Sequence, residues 1–213
     1  VFKRRDRRPL WRIVFEAMWP RGGWGRAAVY IKHRVNRLPD PPDRIARGIF
    51  AGVFTTFTPF YGIHFFIAAG IAMMMRGNVI ASLLATFVGN PLTYVPIGVI
   101  SLTTGYWMLG LEDDPEHGGL GEKFVMAGRD LWGNFEAMFN DTEANWSALS
   151  IFYHEVFFPY MIGGIIPGLI AASVAYYVSL PLITAYQNRR KGLIQERLAM
   201  IKKKRAEGGG GAE

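Results

Sequence analysis

The sequence predicts an all-α integral membrane protein built from a re-entrant helical hairpin, broken transmembrane helices and amphipathic interfacial helices. Three observations carry that expectation. Half of the 213 residues are hydrophobic, yet the formal net charge is +7. Residues 48 to 75, 77 to 111 and 156 to 188 contain no Asp, Glu, Lys or Arg. Each stretch exceeds the roughly 20 residues that cross about 30 Å of hydrocarbon at about 1.5 Å per residue. Finally, the first two stretches are interrupted by proline, glycine and polar residues at positions where a straight span would have none. A soluble protein would have to bury all three stretches, and too little amphipathic sequence remains to cover them.

The amino-terminal region, residues 1–44, reads as basic, cytoplasmic and interfacial. Trp11, Val14, Phe15 and Met18 follow helical spacing. After the Pro20-Arg21-Gly22-Gly23 interruption, Trp24, Ala27, Ala28, Ile31, Val35 and Leu38 repeat it. Arg12, Arg21, Arg26, Lys32, Arg34 and Arg37 occupy the remaining faces, a pattern that suits a membrane surface bearing anionic lipid. Lys3, Arg4, Arg5, Arg7 and Arg8 are not followed by a short apolar run with a small-residue cleavage site, so no secretory signal peptide is expected. Nucleic-acid binding is not expected either, because the basic residues come with membrane-seeking aromatics and without a zinc spacing or a recognition motif.

Residues 45–111 form the predicted membrane domain, with breaks at 58–62 and 89–93. The first break is Thr58-Pro59-Phe60-Tyr61-Gly62 and the second is Gly89-Asn90-Pro91-Leu92-Thr93. Proline removes a backbone donor and clashes with the preceding turn, while glycine permits backbone conformations closed to other residues. Residues 45–57 are expected to enter the membrane and 62–75 to return as a re-entrant hairpin, which keeps Arg76 cytoplasmic. Residues 79–109 then cross as a broken helix. Such breaks free backbone groups that hydrocarbon cannot satisfy, so they must be sheltered by protein or a wet cavity. Thr58, His64, Asn90 and Thr93 are the side chains placed to supply those hydrogen bonds, or an identical or different subunit supplies the shelter.

Residues 112–155 carry 10 acidic and 2 basic side chains and are expected outside the cytoplasm. Pro115 and Gly118-Gly119 read as loop, and Phe124, Leu131, Phe135 and Met138 mark one face of a helix from about 122 to 139. Trp132 and Trp146 suit the far membrane interface. Residues 156–188 return as a transmembrane helix. The tail, residues 189–213, is basic and cytoplasmic, with Leu193, Leu198 and Ile201 continuing a helix, Lys202 to Arg205 forming a basic patch and Gly208 to Gly211 a flexible run. Residues 1–47 hold 13 basic against 4 acidic side chains and 189–213 hold 8 against 3, so both termini are expected on the cytoplasmic side. A simple three-span path and a four-span path are the alternatives.

No catalytic set is legible. His33, His64, His117 and His154 lack metal-motif spacing, and neither a phosphate-binding glycine loop nor a nucleophile elbow is present. Absence of cysteine excludes disulfide and thiol chemistry. No enzymatic activity, metal or cofactor is therefore expected.

One ordered set of motifs runs through the membrane domain. It comprises Ile45-Ala46-Arg47-Gly48-Ile49-Phe50-Ala51-Gly52-Val53-Phe54, Thr58-Pro59-Phe60-Tyr61-Gly62-Ile63-His64, Arg76-Gly77-Asn78 and Gly89-Asn90-Pro91-Leu92-Thr93. In this order the segment from Pro42 to about Gly110 resembles the bacterial membrane family called domain of unknown function 2062, found alone and attached to glycosyltransferase domains. The resemblance implies a protein of the bacterial inner membrane and brings no reaction or catalytic residue. Two function classes follow. The first is a small accessory or scaffold subunit of a larger inner-membrane complex. The second is transport or flipping of a lipid or small anion at a site formed by the paired breaks, with Arg47 and Arg76 attracting a phosphate at the cytoplasmic edge. Membrane lipids with anionic headgroups are the expected partners in either case. The positions expected to bear structure or ligand contact are Arg47, Thr58, Pro59, Gly62, His64, Arg76, Asn78, Asn90, Pro91 and Thr93.

Overall fold

The computed structural model describes residues 23–111, 119–140 and 143–208. The expected helix around Trp11, Val14, Phe15 and Met18, most of the Pro115 loop and the side chains of Lys202 to Arg205 lie outside what is described. The protein is helical, with no strand among the described residues. Its elements are α1 (Gly23–Asn36), α2 (Pro42–Thr55), α3 (His64–Met74), α4 (Val79–Ala85, continued by a 3-10 turn, Thr86–Val88), and α5 (Pro91–Leu109). After them come α6 (Leu120–Ala137), α7 (Ser147–Phe152), a π turn (Tyr153–Phe157), α8 (Phe158–Gly163) and α9 (Ile165–Gly208).

The first apolar stretch does not form one helix. Pro42 opens α2 and Asp43 lies in its first turn, where proline's missing donor costs nothing and a carboxylate meets the positive end of the helix. The helix stops at the threonines. The hydroxyls of Thr55, Thr56 and Thr58 donate to the carbonyls of Ala51, Val53 and Thr55 at 2.8, 2.7 and 2.7 Å. Backbone acceptors at the end of the helix are thus engaged by side chains. Pro59 cannot rejoin the ladder, and Gly62 turns the chain with φ of +88°. At 14 and 11 residues, α2 and α3 are each too short to cross a bilayer.

The α3–α4 connection is a Schellman turn. The Arg76 amide donates to Met73 carbonyl at 3.0 Å and the Gly77 amide to Ala72 carbonyl at 2.7 Å. That geometry places Arg76 in the left-handed region at φ +52°, where glycine is the usual occupant.

Small residues set the packing. A Cβ on Gly48 would lie 2.2 Å from the Asn78 carbonyl oxygen, and one on Gly52 would lie 2.2 Å from that of Ser82. Gly48 and Gly52 therefore bring α2 into backbone contact with α4, which runs parallel to it and presents Ala81, Ser82 and Ala85. The helix that separates them in sequence, α3, returns antiparallel alongside the pair, and Ser82 Oγ donates to its Ala68 carbonyl at 2.8 Å. On the other side, α9 runs antiparallel to α2. Gly164 and Gly168 meet Phe57 and Phe54 near one end, and Gln187 reaches the Asp40 carbonyl at 3.0 Å near the other. A second close crossing joins α5 to α8 through Gly105, Gly163, Ser101 and the carbonyl of Pro159.

Among the described residues, two helices are long and apolar enough to cross a membrane by length and composition: Pro91–Leu109 and the rod from Ser147 to Ile201. Only 17% and 22% of their most apolar windows are buried inside the protein. The core helix of a soluble protein would be covered far more fully. Exposed large side chains include Phe66, Leu92, Val95, Trp107, Val174 and Tyr177.

Within the rod, the π turn has a local cause. Pro159 has no amide to donate to the Glu155 carbonyl one turn earlier, and that carbonyl accepts the Tyr106 hydroxyl at 2.7 Å instead. This bond also ties the end of α5 to the rod.

Candidate functional site

Two places gather the polar groups that the sequence marks in the apolar region. The upper one is the junction of the two breaks. Gly89 interrupts the helix after the 3-10 turn, and Asn90 starts it again as the N-cap of α5. Asn90 Oδ1 accepts from the amides of Leu92 and Thr93 at 3.0 and 3.2 Å, while the Asn90 amide donates to Thr93 Oγ1 at 2.9 Å. This is a reciprocal capping box, with Pro91 at a position whose amide would have lacked a helical partner anyway. The Thr93 hydroxyl and the Asn90 amide group both reach the Val88 carbonyl, at 2.5 and 3.3 Å. The second break is therefore confined to Gly89 and Asn90, and residues 91–93 already belong to the helix.

The two breaks touch. A Cβ on Gly89 would fall 2.7 Å from Tyr94 Oη and 3.0 Å from Thr56 Cγ2. Tyr61, from the Pro59–Gly62 turn, stacks edge to face on Tyr94 at 5.1 Å and shares a 3.0 Å hydrogen bond with the Tyr160 hydroxyl. Sequence reasoning singled out Thr58, Pro59 and Gly62 but passed over Tyr94 and Tyr160. The available signal was chemical: a tyrosine inside a charge-free stretch brings a hydroxyl that needs a partner. His64 opens α3 beside Phe65, with ring centroids 4.1 Å apart, and its Nδ1 is buried with no hydrogen-bond partner among the described residues.

The lower place is a charged layer where α2 begins. Arg44 pairs with Asp40 at 3.0 Å and Arg47 with Asp43 at 2.9 Å, each one helical turn apart. Asn78 joins the layer from the start of α4. Its Oδ1 caps the Ala81 amide at 2.6 Å, its Nδ2 donates to Asp40, and its backbone amide donates to the Arg44 carbonyl at 2.8 Å. From α9, the Tyr176 hydroxyl donates to Asp43 at 2.8 Å. The Arg47 charge expected to attract a phosphate is thus matched by Asp43 inside the chain. Arg76 is exposed and has no ion pair among the described residues.

Between the two places lies a groove of about 820 Å³. One wall is α1, through Ile31, Lys32 and Val35, and the opposite wall is α9, through Ser179, Leu182, Ile183 and Tyr186. Ile49 and the α4 segment from Leu84 to Val88 make the floor, and Asn90 and Thr93 close the upper end. Its lining is apolar except for the Lys32 ammonium, three hydroxyl side chains and the Asn90 amide. Of the residues marked in the sequence, only Asn90 and Thr93 line it; Arg47, Thr58, Pro59, Gly62, His64, Arg76, Asn78 and Pro91 do not. The wall formed by α1 could not be placed from sequence, because periodicity says that a helix has an apolar face and not what that face meets.

Among the described residues, a helical fold with two membrane-length apolar helices, a hairpin of shorter helices and an apolar groove is the class that fold and site define. The chain belongs to the bacterial family described as an uncharacterized protein conserved in bacteria (DUF2062), whose model matches residues 25–192. The match extends well past the 42–110 segment that carries the sequence motifs, and it takes in α1, the α6–α7 hairpin and most of α9. Neither the curated proteins nor the solved structures contain a match to the chain.

Proposed function

We propose that this is a multi-pass protein of the bacterial inner membrane that takes up an anionic phospholipid in the groove between α1 and α9. In this reading α2 and α3 form a re-entrant hairpin, α4 and α5 cross as one broken helix, the rod from Ser147 returns the chain, and both termini are cytoplasmic. The observation that carries the proposal is the groove itself. Its volume of about 820 Å³ falls in the range of about 300–1,000 Å³ typical of ligand sites. It offers apolar walls for acyl chains and a cation, Lys32, for a phosphate. His33 and Arg34 of α1, and Arg37 just past its end, are exposed on the same segment as Lys32, and their charge adds attraction for an anionic headgroup.

The test uses the groove's exposed lining residues. Val88→Trp and Leu182→Trp fill the space from its rim without altering buried contacts. Both variants are expected to assemble as the parent does but to retain less co-purified anionic phospholipid and to move labelled phospholipid more slowly in liposomes. Unchanged lipid retention in both would overturn the proposal. Topology is checked with single cysteines at Arg8, Asp114 and Glu207, of which only the one at position 114 should label from outside. External labelling at 207 would replace the closed path by three simple spans.

The accessory-subunit reading is supported by a different observation. Beyond Gln187, α9 leaves the other described helices while still presenting exposed Leu193, Ile194, Leu198 and Ile201, a stripe that suits a partner helix. Stoichiometric recovery in a larger complex, without lipid movement by the isolated protein, would select it.

A further inference from the structure

The α6–α7 hairpin has its polarity reversed. The face of α6 turned to the rest of the protein carries Lys123, Ala127, Asp130 and Asn134, and the polar groups among them are bonded within the hairpin or to the π turn that follows it. Lys123, only 3% exposed, pairs with Glu155 at 2.9 Å. Asp130 accepts from the Leu149 amide at 3.0 Å, and Asn134 exchanges two bonds of 2.8 and 2.7 Å with the Asn145 backbone. Outside, Leu120, Phe124, Val125, Leu131, Trp132 and Phe135 are all exposed. At 3.6 residues per turn these six cover an arc of about 140° that contains no charge. Glu122, Arg129 and Glu136 follow as a narrow exposed stripe along one edge of that arc. A hairpin folded for water alone would put these groups the other way round.

We propose that this hairpin is immersed in the extracytoplasmic interface of the bilayer, with the apolar arc among the acyl chains and the Glu122–Arg129–Glu136 stripe at the headgroups. The proposal rests on the membrane reading above and goes beyond it, since the sequence places residues 112–155 outside the cytoplasm and only Trp132 and Trp146 at the far interface, not the whole outer face of α6. Three features select lipid as the occupant. The apolar arc and the charged edge divide the outer surface as an interfacial helix does. Trp132 and Trp146, both exposed, supply the amphipathic rings favoured at that depth. The hairpin also starts where the apolar surface of α5 ends. The Tyr106 hydroxyl and Lys123 both bind Glu155, so the first turns of α6 stand level with exposed Trp107 and Met108.

The chain has no cysteine, so single-site spin labelling needs no background removal. Labels at Leu131→Cys and Phe135→Cys report on the arc, at Arg129→Cys and Glu136→Cys on the stripe, and at Val174→Cys on the candidate span in α9. All five positions are exposed, so the fold is kept. In proteoliposomes, collisions with oxygen relative to a water-soluble nickel chelate are expected to be several-fold higher at 131 and 135 than at 129 and 136. If 131 and 135 are open to the chelate while 174 is not, the hairpin stands in water and the proposal fails alone. If 131 and 135 are shielded from both probes, another protein covers the arc and the proposal again fails. A label at 174 that collides freely with the chelate would remove the membrane reading itself.

Discussion

Replacing Gly48 by alanine should separate two helices that the fold holds in backbone contact. The added Cβ would sit 2.2 Å from the Asn78 carbonyl oxygen and 3.0 Å from Ala81 Cβ. Carbon and carbonyl oxygen approach no closer than about 3.3 Å even in favourable contacts, so α4 must retreat by about 1 Å. Overpacking of this kind costs about 1–3 kcal/mol. The retreat also stretches the 2.8 Å bond from the Asn78 amide to Arg44 and the Asn78–Asp40 bond, a loss of about 1 kcal/mol. Against these stands a gain of about 1 kcal/mol from replacing a glycine inside a helix. The net expectation is a loss of about 1–3 kcal/mol. For a chain of this length that corresponds to a fall of about 2–12 °C in Tm. Gly70 is the control, because it lies inside α3 and a Cβ there meets nothing within 4 Å. Gly70→Ala should leave Tm unchanged or raise it. Circular dichroism melts of the two variants and the parent in one detergent decide the matter. A Gly48→Ala protein that melts at or above the parent, or a matching fall in both variants, would refute the packing argument.

Other substitutions probe the turns and the buried pair. Asn90→Ala removes the acceptor for two amides at the start of α5 and should cost about 1–2 kcal/mol in the same melts, whereas Asn90→Asp keeps the acceptor and should cost less. Arg76→Gly relieves about 1–2 kcal/mol of left-handed strain but adds unfolded-state freedom worth about 0.5–1 kcal/mol, so a small rise in Tm is expected; Arg76→Val should lower it. Lys123→Met removes the ammonium 2.9 Å from Glu155 and should cost about 3–5 kcal/mol, with most of the loss recovered when Glu155→Leu is added. Equal Tm values for the single and double variants would show that this pair does not set the stability of the hairpin.

Much of the architecture is legible in the sequence because it is written in local chemistry. Pro59 with Gly62, and Gly89 with Asn90 and Pro91, interrupt helices for reasons contained within a few residues, and the structure has non-helical backbone at both. The helix predicted from about 122 to 139 occurs at Leu120–Ala137. Its direction was not legible. Phe124, Leu131 and Phe135 share a face in either orientation, and only the partners of Lys123, Asp130 and Asn134 determine that this face is the outer one. Helix pairing was equally hidden, since a glycine shows where an approach is permitted and not which neighbour makes it. The groove depends on α1, α4 and α9 together, elements far apart in the chain, so two of its residues were marked and the cation at its mouth was read only as part of a basic face.

The last helix has a mechanical consequence. Pro181 lies inside α9 and has no amide for the Tyr177 carbonyl, so the rod lacks one rung of its ladder at that level. Ser179, Leu182 and Ile183, on either side of the missing rung, line the groove. From Leu182 to Ile201 the helix extends about 30 Å at 1.5 Å per residue. Pivoting by about 10° at Pro181 would carry the far end sideways by about 5 Å, while the groove wall shifts by only a fraction of that. The rod is in effect a pointer, whose tip magnifies any change in the width of the groove at its pivot.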